Sequence, residues 1–540
     1  MIRHRFPNGV HPSPLWGEGP GVRGGPHAPA AWIAICIAAL CVVSAWPPQA
    51  RAAPPFERLG VESCQGCHQQ PSELYSEKRT TEFVSLTESA VWSRDDKHAQ
   101  AYRLLETDLG QRICKALQID LQDGTSSQQC LSCHADWRKE APKPKPFDLK
   151  QGVTCEACHG VASNWANPTL HQQAEWRVLK PADKFTKHGM IDIRDPVTRA
   201  RVCNSCHIGD REQGKFITHE MYAAGHPPLP PIEPETFADQ MPRHWRSLIE
   251  KPDFEHRAVY EQVNGFRASD HVRSRGVMLG GVEALRSSMR LLAEEVATGK
   301  GPWPDFAVFD CTACHHELTS KSWRLERGYG GHPPGRPPMP AWSAVLVPLA
   351  IRHAAGDDAE FTKSHAEFRA KLKAVHAAIA RRPFGDAQLI PEAANELLTL
   401  LDTVEQAALA KPVDTDAARR SLAMLANAAT ENHYDFDSSR QLAWAARVLA
   451  IDAGLVLPEK LPLTQPAIEQ LISAAKDRRR IVDEVFAASK IDEALRLRLP
   501  ARRCDSIPGT LPALLRAQSE FDPKWFRLTL RDTWLKVTVK

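Results

Sequence analysis

Ten of the fourteen cysteines fall in five copies of one pattern, Cys-x-x-Cys-His. The copies are Cys64-Gln-Gly-Cys67-His68, Cys130-Leu-Ser-Cys133-His134, Cys155-Glu-Ala-Cys158-His159, Cys203-Asn-Ser-Cys206-His207 and Cys311-Thr-Ala-Cys314-His315. Two thiols at this spacing can add to the two vinyl groups of a porphyrin, and the histidine that follows can reach the iron. The chemistry is covalent attachment of haem c, five copies of it. Structural zinc is the competing use of Cys-x-x-Cys, but it needs four ligands and usually two paired knuckles. Histidine is only 22 of 540 residues, so five histidines directly after five knuckles arise by chance about once in ten million chains. Thioredoxin-like redox chemistry would need one motif in a βαβ setting, not five.

The five motif histidines are the proximal ligands in this reading: His68, His134, His159, His207 and His315. Distal ligands must come from the other histidines. His98 follows Trp92 on a predicted helix, and His171 follows the third motif. His219 and His226 flank Met221-Tyr222, and His332 in Gly-Gly-His-Pro-Pro echoes the Gly-His-Pro-Pro around His226. A proline-stiffened loop fixes an imidazole at little entropic cost, which suits an axial ligand. His188, His316 and Met221 are weaker candidates; His316 adjoins a proximal ligand and is poorly placed for the same iron. The spacing leaves open which distal residue faces which iron.

The elements that must position these residues differ along the chain. Residues 1–52 hold a Gly-, Pro- and Arg-rich start, an apolar run from Ala30 to Trp46, and an Ala50-Arg-Ala52 cleavage signal. They read as a Sec signal peptide cut near Ala52, hence an exported or periplasmic protein. Membrane association follows only if that segment is retained. Residues 53–340 read as a pentahaem cytochrome c domain of short helices and Pro-rich loops with little regular sheet. Thr87–Leu105 and Val282–Ala297 are its helical runs. Its aliphatic periodicity is thin, and porphyrins would supply the missing apolar core. Residues 341–540 read as an α-helical domain, an antiparallel bundle of helices near 341–355, 358–382, 391–410, 414–429, 437–454 and 465–489. The alternating Phe526–Leu530 reads as a short strand. The fold class is therefore mainly α.

Composition bounds the partners. Without the first 52 residues the chain has as many acidic as basic residues. Each ferric haem with ionised propionates adds about one negative charge, so nothing indicates a nucleic-acid surface. Cys36 and Cys41 lie in the apolar leader, and only Cys114 and Cys504 remain, so no disulfide framework is implied. The partners expected are redox proteins, a donor and an acceptor.

Residues 61–226 resemble the cytochrome c-554 family of multihaem electron carriers. The resemblance rests on Ser63 through His68, Trp92 through His98-Ala99, and Gln129 through His134. It continues with Gly152-Val-Thr-Cys155 through Gly160, His171, and Arg201-Val-Cys203 through His207. It implies a mostly helical fold with closely paired haems, and His98 and His171 as distal ligands that cross to other haems. It also implies an open position on the second haem, that of His134. The fifth motif and the region after Pro340 are additions to that pattern. Pentahaem nitrite reductase resembles the chain less, because its active-site haem takes Lys where all five motifs here have His. Electron transfer through mostly bis-His haems is the favoured function. An oxidoreductase acting on a small nitrogen or sulfur compound at a five-coordinate haem is the alternative.

Overall fold

A computed structural model describes residues 56–69, 84–123, 126–137, 148–250, 262–263, 265–298, 303–316, 333–432, 434–460, 464–491 and 510–539. The leader, its cleavage site, Cys504 and His332 lie outside the described residues. The described residues are 65% helical and include no strand; one isolated bridge joins Asp210 and Lys215.

Helix positions follow local chemistry. Asp195 caps the Pro196–His207 helix by accepting the Thr198 N–H at 2.7 Å, with Pro196 at the first turn where its missing donor is harmless. Asp414 and Asp435 cap Thr415–Glu431 and Phe436–Asp452 in the same way. The expected single helix over 87–105 is instead three pieces, Glu88–Asp95, Lys97–Gln100 and Arg103–Glu106. The break falls at Asp96, whose carboxylate caps the second piece by accepting the His98 N–H at 2.9 Å. The expected strand at 526–530 is helical, within Pro523–Val539. There Phe526, Leu530 and Val537 follow a helical spacing and all are buried.

The core is unevenly distributed. One large apolar cluster runs from Val277 to Val537. It includes Leu397, Leu401 and Val404 on the Leu389–Leu409 helix, at i, i+4, i+7. Full burial of one such leucine contributes about 1.5–3 kcal/mol. The 27-residue helix Val272–Thr298 supplies Val277, Val282, Leu285, Met289 and Leu292 to this cluster, so its packing extends across residue 340. Between Val61 and Trp176, by contrast, the described residues form only small clusters such as Val61, Trp92 and Ala99, or Ala162, Trp165 and Trp176.

A buried ion cluster joins the two parts. Arg286 is fully buried and pairs with Glu283, Glu405 and Asp402. Arg201, on the helix that ends at His207, reaches Glu283 and Glu405, each at 3.0 Å. Two guanidiniums thus share two buried carboxylates, which compensates the desolvation that each would suffer alone. The helix carrying the fourth motif is thereby held against Val272–Thr298 and Leu389–Leu409.

Candidate haem-binding sites

The residues inside the motifs explain how the motifs are held together. Glu156, between the two cysteines of the third motif, is buried and accepts backbone N–H bonds from Leu59, Gly60 and Ala162 at 2.8–3.1 Å. It fixes the approach to the first motif against the third. Asp136, just after the second motif, pairs with buried Arg58 before the first. It also accepts the Thr154 hydroxyl at 2.8 Å, just before the third. Ser132, inside the second motif, donates to the Gly214 carbonyl at 2.8 Å, in the turn after the fourth. The Trp92 indole donates to Val153 O at 3.2 Å, and Val153 N to His98 O at 3.0 Å. Cys64 lies beside Cys155, and Cys133 beside Cys206. First and third motifs, and second and fourth, are therefore neighbours.

Two glycines bracket the third motif for a steric reason. Gly152 has φ +75°, and a Cβ there would meet His98 O at 2.7 Å. Gly160 has φ +85°, and a Cβ would meet Gly189 O at 2.1 Å. Any other residue would push these segments apart.

The imidazoles come together in four pairs. Ring centroids are 6.2 Å apart for His68 and His171, 6.5 Å for His98 and His207, 6.2 Å for His134 and His226, and 6.3 Å for His219 and His315. An iron bonded on both sides at about 2.0–2.1 Å, to nitrogens about 1.1 Å from their ring centres, would separate the centroids by about 6.2–6.4 Å. Each pair joins one motif histidine to one non-motif histidine from another segment. The residues present therefore fit haem iron in separation as well as in donor type. Among the described residues no group of three His, Cys, Asp or Glu side chains converges as a metal cage.

Several of these rings are oriented by a partner on Nδ1. His68 Nδ1 donates to Glu88 at 2.8 Å and His98 Nδ1 to Asp96 at 2.9 Å. His134 Nδ1 donates to Ala101 O at 2.9 Å and His226 Nδ1 to Pro227 O at 2.7 Å. A proton held on Nδ1 leaves the Nε2 lone pair for a metal. Asp305 accepts the His219 N–H at 2.9 Å and so places the short helix that starts there. Burial pushes His207 and His159 down to about 4 and lowers His226, favouring the neutral imidazole that a metal takes. The Glu88 hydrogen bond raises His68 despite burial.

The other sequence candidates fall as follows. His226 stands opposite His134, where the resemblance implied an open position. His159 has no ring contact of this kind among the described residues. His188 Nδ1 is bonded to Asn164 Oδ1 at 2.7 Å. Met221 is buried in the first turn after the Thr218 cap. His316 follows His315 in chain. His332 lies outside the described residues. Cys114 is a buried free thiol beside Cys130. The Nδ1 partners were not anticipated from sequence, although Asp96-Lys-His98 is a readable signal, an acid two residues before a candidate ligand.

The helical fold and the attachment motifs are those of a c-type cytochrome, a class of electron carriers with covalently attached haem c. Residues 63–160, which span the first three motifs, match the family model of cytochrome c554 and c-prime. Proteins of this family are typically exported. No curated protein and no solved structure matches the chain. Among the described residues no helix is long and apolar enough to cross a membrane.

Proposed function

We propose that the chain is an exported pentahaem cytochrome that passes single electrons through closely packed, mostly bis-His haems between a donor and an acceptor protein. The observation that carries this reading is the set of four imidazole pairs at iron-spanning separation. His68 and His171, His207 and His98, His134 and His226, and His315 and His219 would hold four of the irons. The ten motif cysteines would hold the porphyrins through thioether bonds. Bound haem iron supplies the one-electron couple.

The residues of this chain set the conditions for that couple. Two imidazoles per iron leave no position for substrate, which favours transfer over catalysis. Glu88 and Asp96 hold Nδ1 protons on His68 and His98, which raises ligand basicity and stabilises the oxidised state. The contacts between first and third motifs, and between second and fourth, would hold their haems close together for electron exchange. The Arg201–Glu283–Arg286–Glu405 cluster anchors this array to the C-terminal helices.

The alternative, reduction or oxidation of a small nitrogen or sulfur compound, needs one open iron. The resemblance would put it at His134, but His226 faces that ring at 6.2 Å. The test is a haem count by mass and pyridine haemochromogen on protein matured in a host that attaches haem c. Five haems per chain are expected. A count of four or fewer in fully matured protein would overturn the pentahaem reading.

A further inference from the structure

Two of the axial candidates stand seven residues apart on one short segment. His219 faces His315 of the fifth motif, and His226 faces His134 of the second. We propose that the fifth haem joins the other four through the second, because the capped turn from His219 to His226 holds an axial ligand of each. This rests on the reading of those two imidazole pairs as haem ligands.

The segment keeps its two imidazoles at a fixed spacing. The helix His219–Ala223 starts after Thr218, whose hydroxyl accepts the Met221 N–H at 3.3 Å. It ends at Gly225, whose φ of +109° reverses the chain where a side chain would be strained. The Gly225 N–H donates to Tyr222 O at 3.0 Å and the His226 N–H to Met221 O at 2.9 Å, the paired bonds of a Schellman cap. His226 is therefore part of the helix end rather than of a free loop. Its Nδ1 is held by Pro227 O at 2.7 Å, and its ring lies 6.4 Å from that of Tyr222. At a helical rise of about 1.5 Å per residue, the α-carbons of the two histidines are about 10 Å apart.

Each end of the turn is tied to a different site. At the first end, Asp305 accepts the His219 N–H at 2.9 Å and the Ala307 N–H at 2.8 Å. Phe306 packs edge-on against the His219 ring, with centroids 5.6 Å apart. Asp305 caps the Phe306–Val308 turn that leads into Cys311, so His219 is fastened to the approach to the fifth motif. At the other end, His226 faces His134, whose Nδ1 donates to Ala101 O at 2.9 Å. Ala101 follows shortly after His98, whose ring faces His207 of the fourth motif. The second site thus shares one segment with the fourth and another with the fifth.

The second haem is then a junction rather than a place for substrate. The fifth motif borders the C-terminal helices, since Asp310 and Thr312 share a small cavity with Asp437 and Gln518. An electron passing between that region and the array goes by way of the second haem. The step is a one-electron exchange, one ferrous iron becoming ferric as its ferric neighbour becomes ferrous, with no proton or leaving group.

The test is spectroelectrochemistry of the full chain, matured with its haems. His226→Ala turns the second haem high-spin and so marks its signal, and His98→Ala marks the fourth. Each is titrated with the fifth haem present and with it removed by Cys311→Ala and Cys314→Ala. A ferric haem with ionised propionates carries about one negative charge. Two unit charges about 10 Å apart, at an effective dielectric constant of about 20, change an equilibrium about tenfold. Removing the fifth haem should therefore raise the reduced-to-oxidised ratio of the second about tenfold at a fixed potential, and change that of the fourth less. A fourth haem that responds more than the second, or a second haem that does not respond, overturns the route while the axial pairs stand. If His226→Ala shows no new high-spin haem, the axial pair at the second site fails and the route falls with it. Should the chain without its fifth haem not fold, anomalous diffraction from crystals of the matured wild-type protein decides. The iron between His315 and His219 should have the iron between His134 and His226 as its nearest neighbour, and any other nearest neighbour overturns the route.

Discussion

Glu233 offers a test of the packing beside the fourth motif. Its side chain is completely buried at the start of the Pro234–Gln240 helix, where it accepts the N–H groups of Glu235 at 3.2 Å and Thr236 at 2.8 Å. Burial, reinforced by the charge of Glu235, raises its pKa from 4.5 to about 7. The folded chain therefore holds this proton more tightly than the unfolded chain. The stability this contributes is fully present below 4.5 and is lost as the pH rises through about 7. A rise from 4.5 to about 7 corresponds to a ceiling of about 3 kcal/mol. Glu233→Gln removes the ionisation but keeps one acceptor for the cap. Its extra amide group, if left without a partner, costs about 1 kcal/mol. The variant should be equal to wild type or about 1 kcal/mol weaker at pH 5, and about 2 kcal/mol stronger at pH 8. Denaturant unfolding followed by far-UV circular dichroism at the two pH values, at one ionic strength, measures the difference. An equal gap between variant and wild type at both values would refute the reasoning.

Three further outcomes are expected. His226→Ala should open the second haem and convert about one fifth of the iron to high spin; an unchanged spectrum would return that haem to the open state that the resemblance implies. Leu397→Ala, at a fully buried core position, should cost about 2–5 kcal/mol in unfolding while leaving the haem spectrum of the folded protein unaltered. A loss of haem signal in the native variant would contradict the separation of core and site. Glu88→Gln weakens a charge-assisted bond to His68 Nδ1 and should raise the potential of one haem by about 20–60 mV. A titration that superimposes on wild type would remove Glu88 from the account.

The attachment sites were legible in the sequence because covalent chemistry demands contiguous residues at fixed spacing. The helices after Pro340 were legible for a different reason. Leu397, Leu401 and Val404 repeat at helical spacing, and Asp414 announces its helix start. Their bounds were close, within two residues for Leu389–Leu409 and Thr415–Glu431. Phe526-Arg-Leu-Thr-Leu misled because five residues fit a period of two as well as one helical turn, and the arbitration came from Leu530 and Val537 packing on distant helices. The run 87–105 misled because Asp96 prefers to cap rather than continue a helix, which places His98 on a tight turn. The pairing of imidazoles was not legible at all. His171 meets His68 across 103 residues and His226 meets His134 across 92, and such contacts depend on how the segments cross.

The central claim is that electrons pass through haems whose irons are closed by two imidazoles. Quantitative EPR of the fully matured wild-type protein, repeated under CO after reduction, tests it most directly. The account predicts at least four low-spin ferric haems per chain, one for each imidazole pair, and no CO binding at those four. Two or more stoichiometric high-spin haems that bind CO in fully loaded protein would contradict it and point to catalysis at open irons.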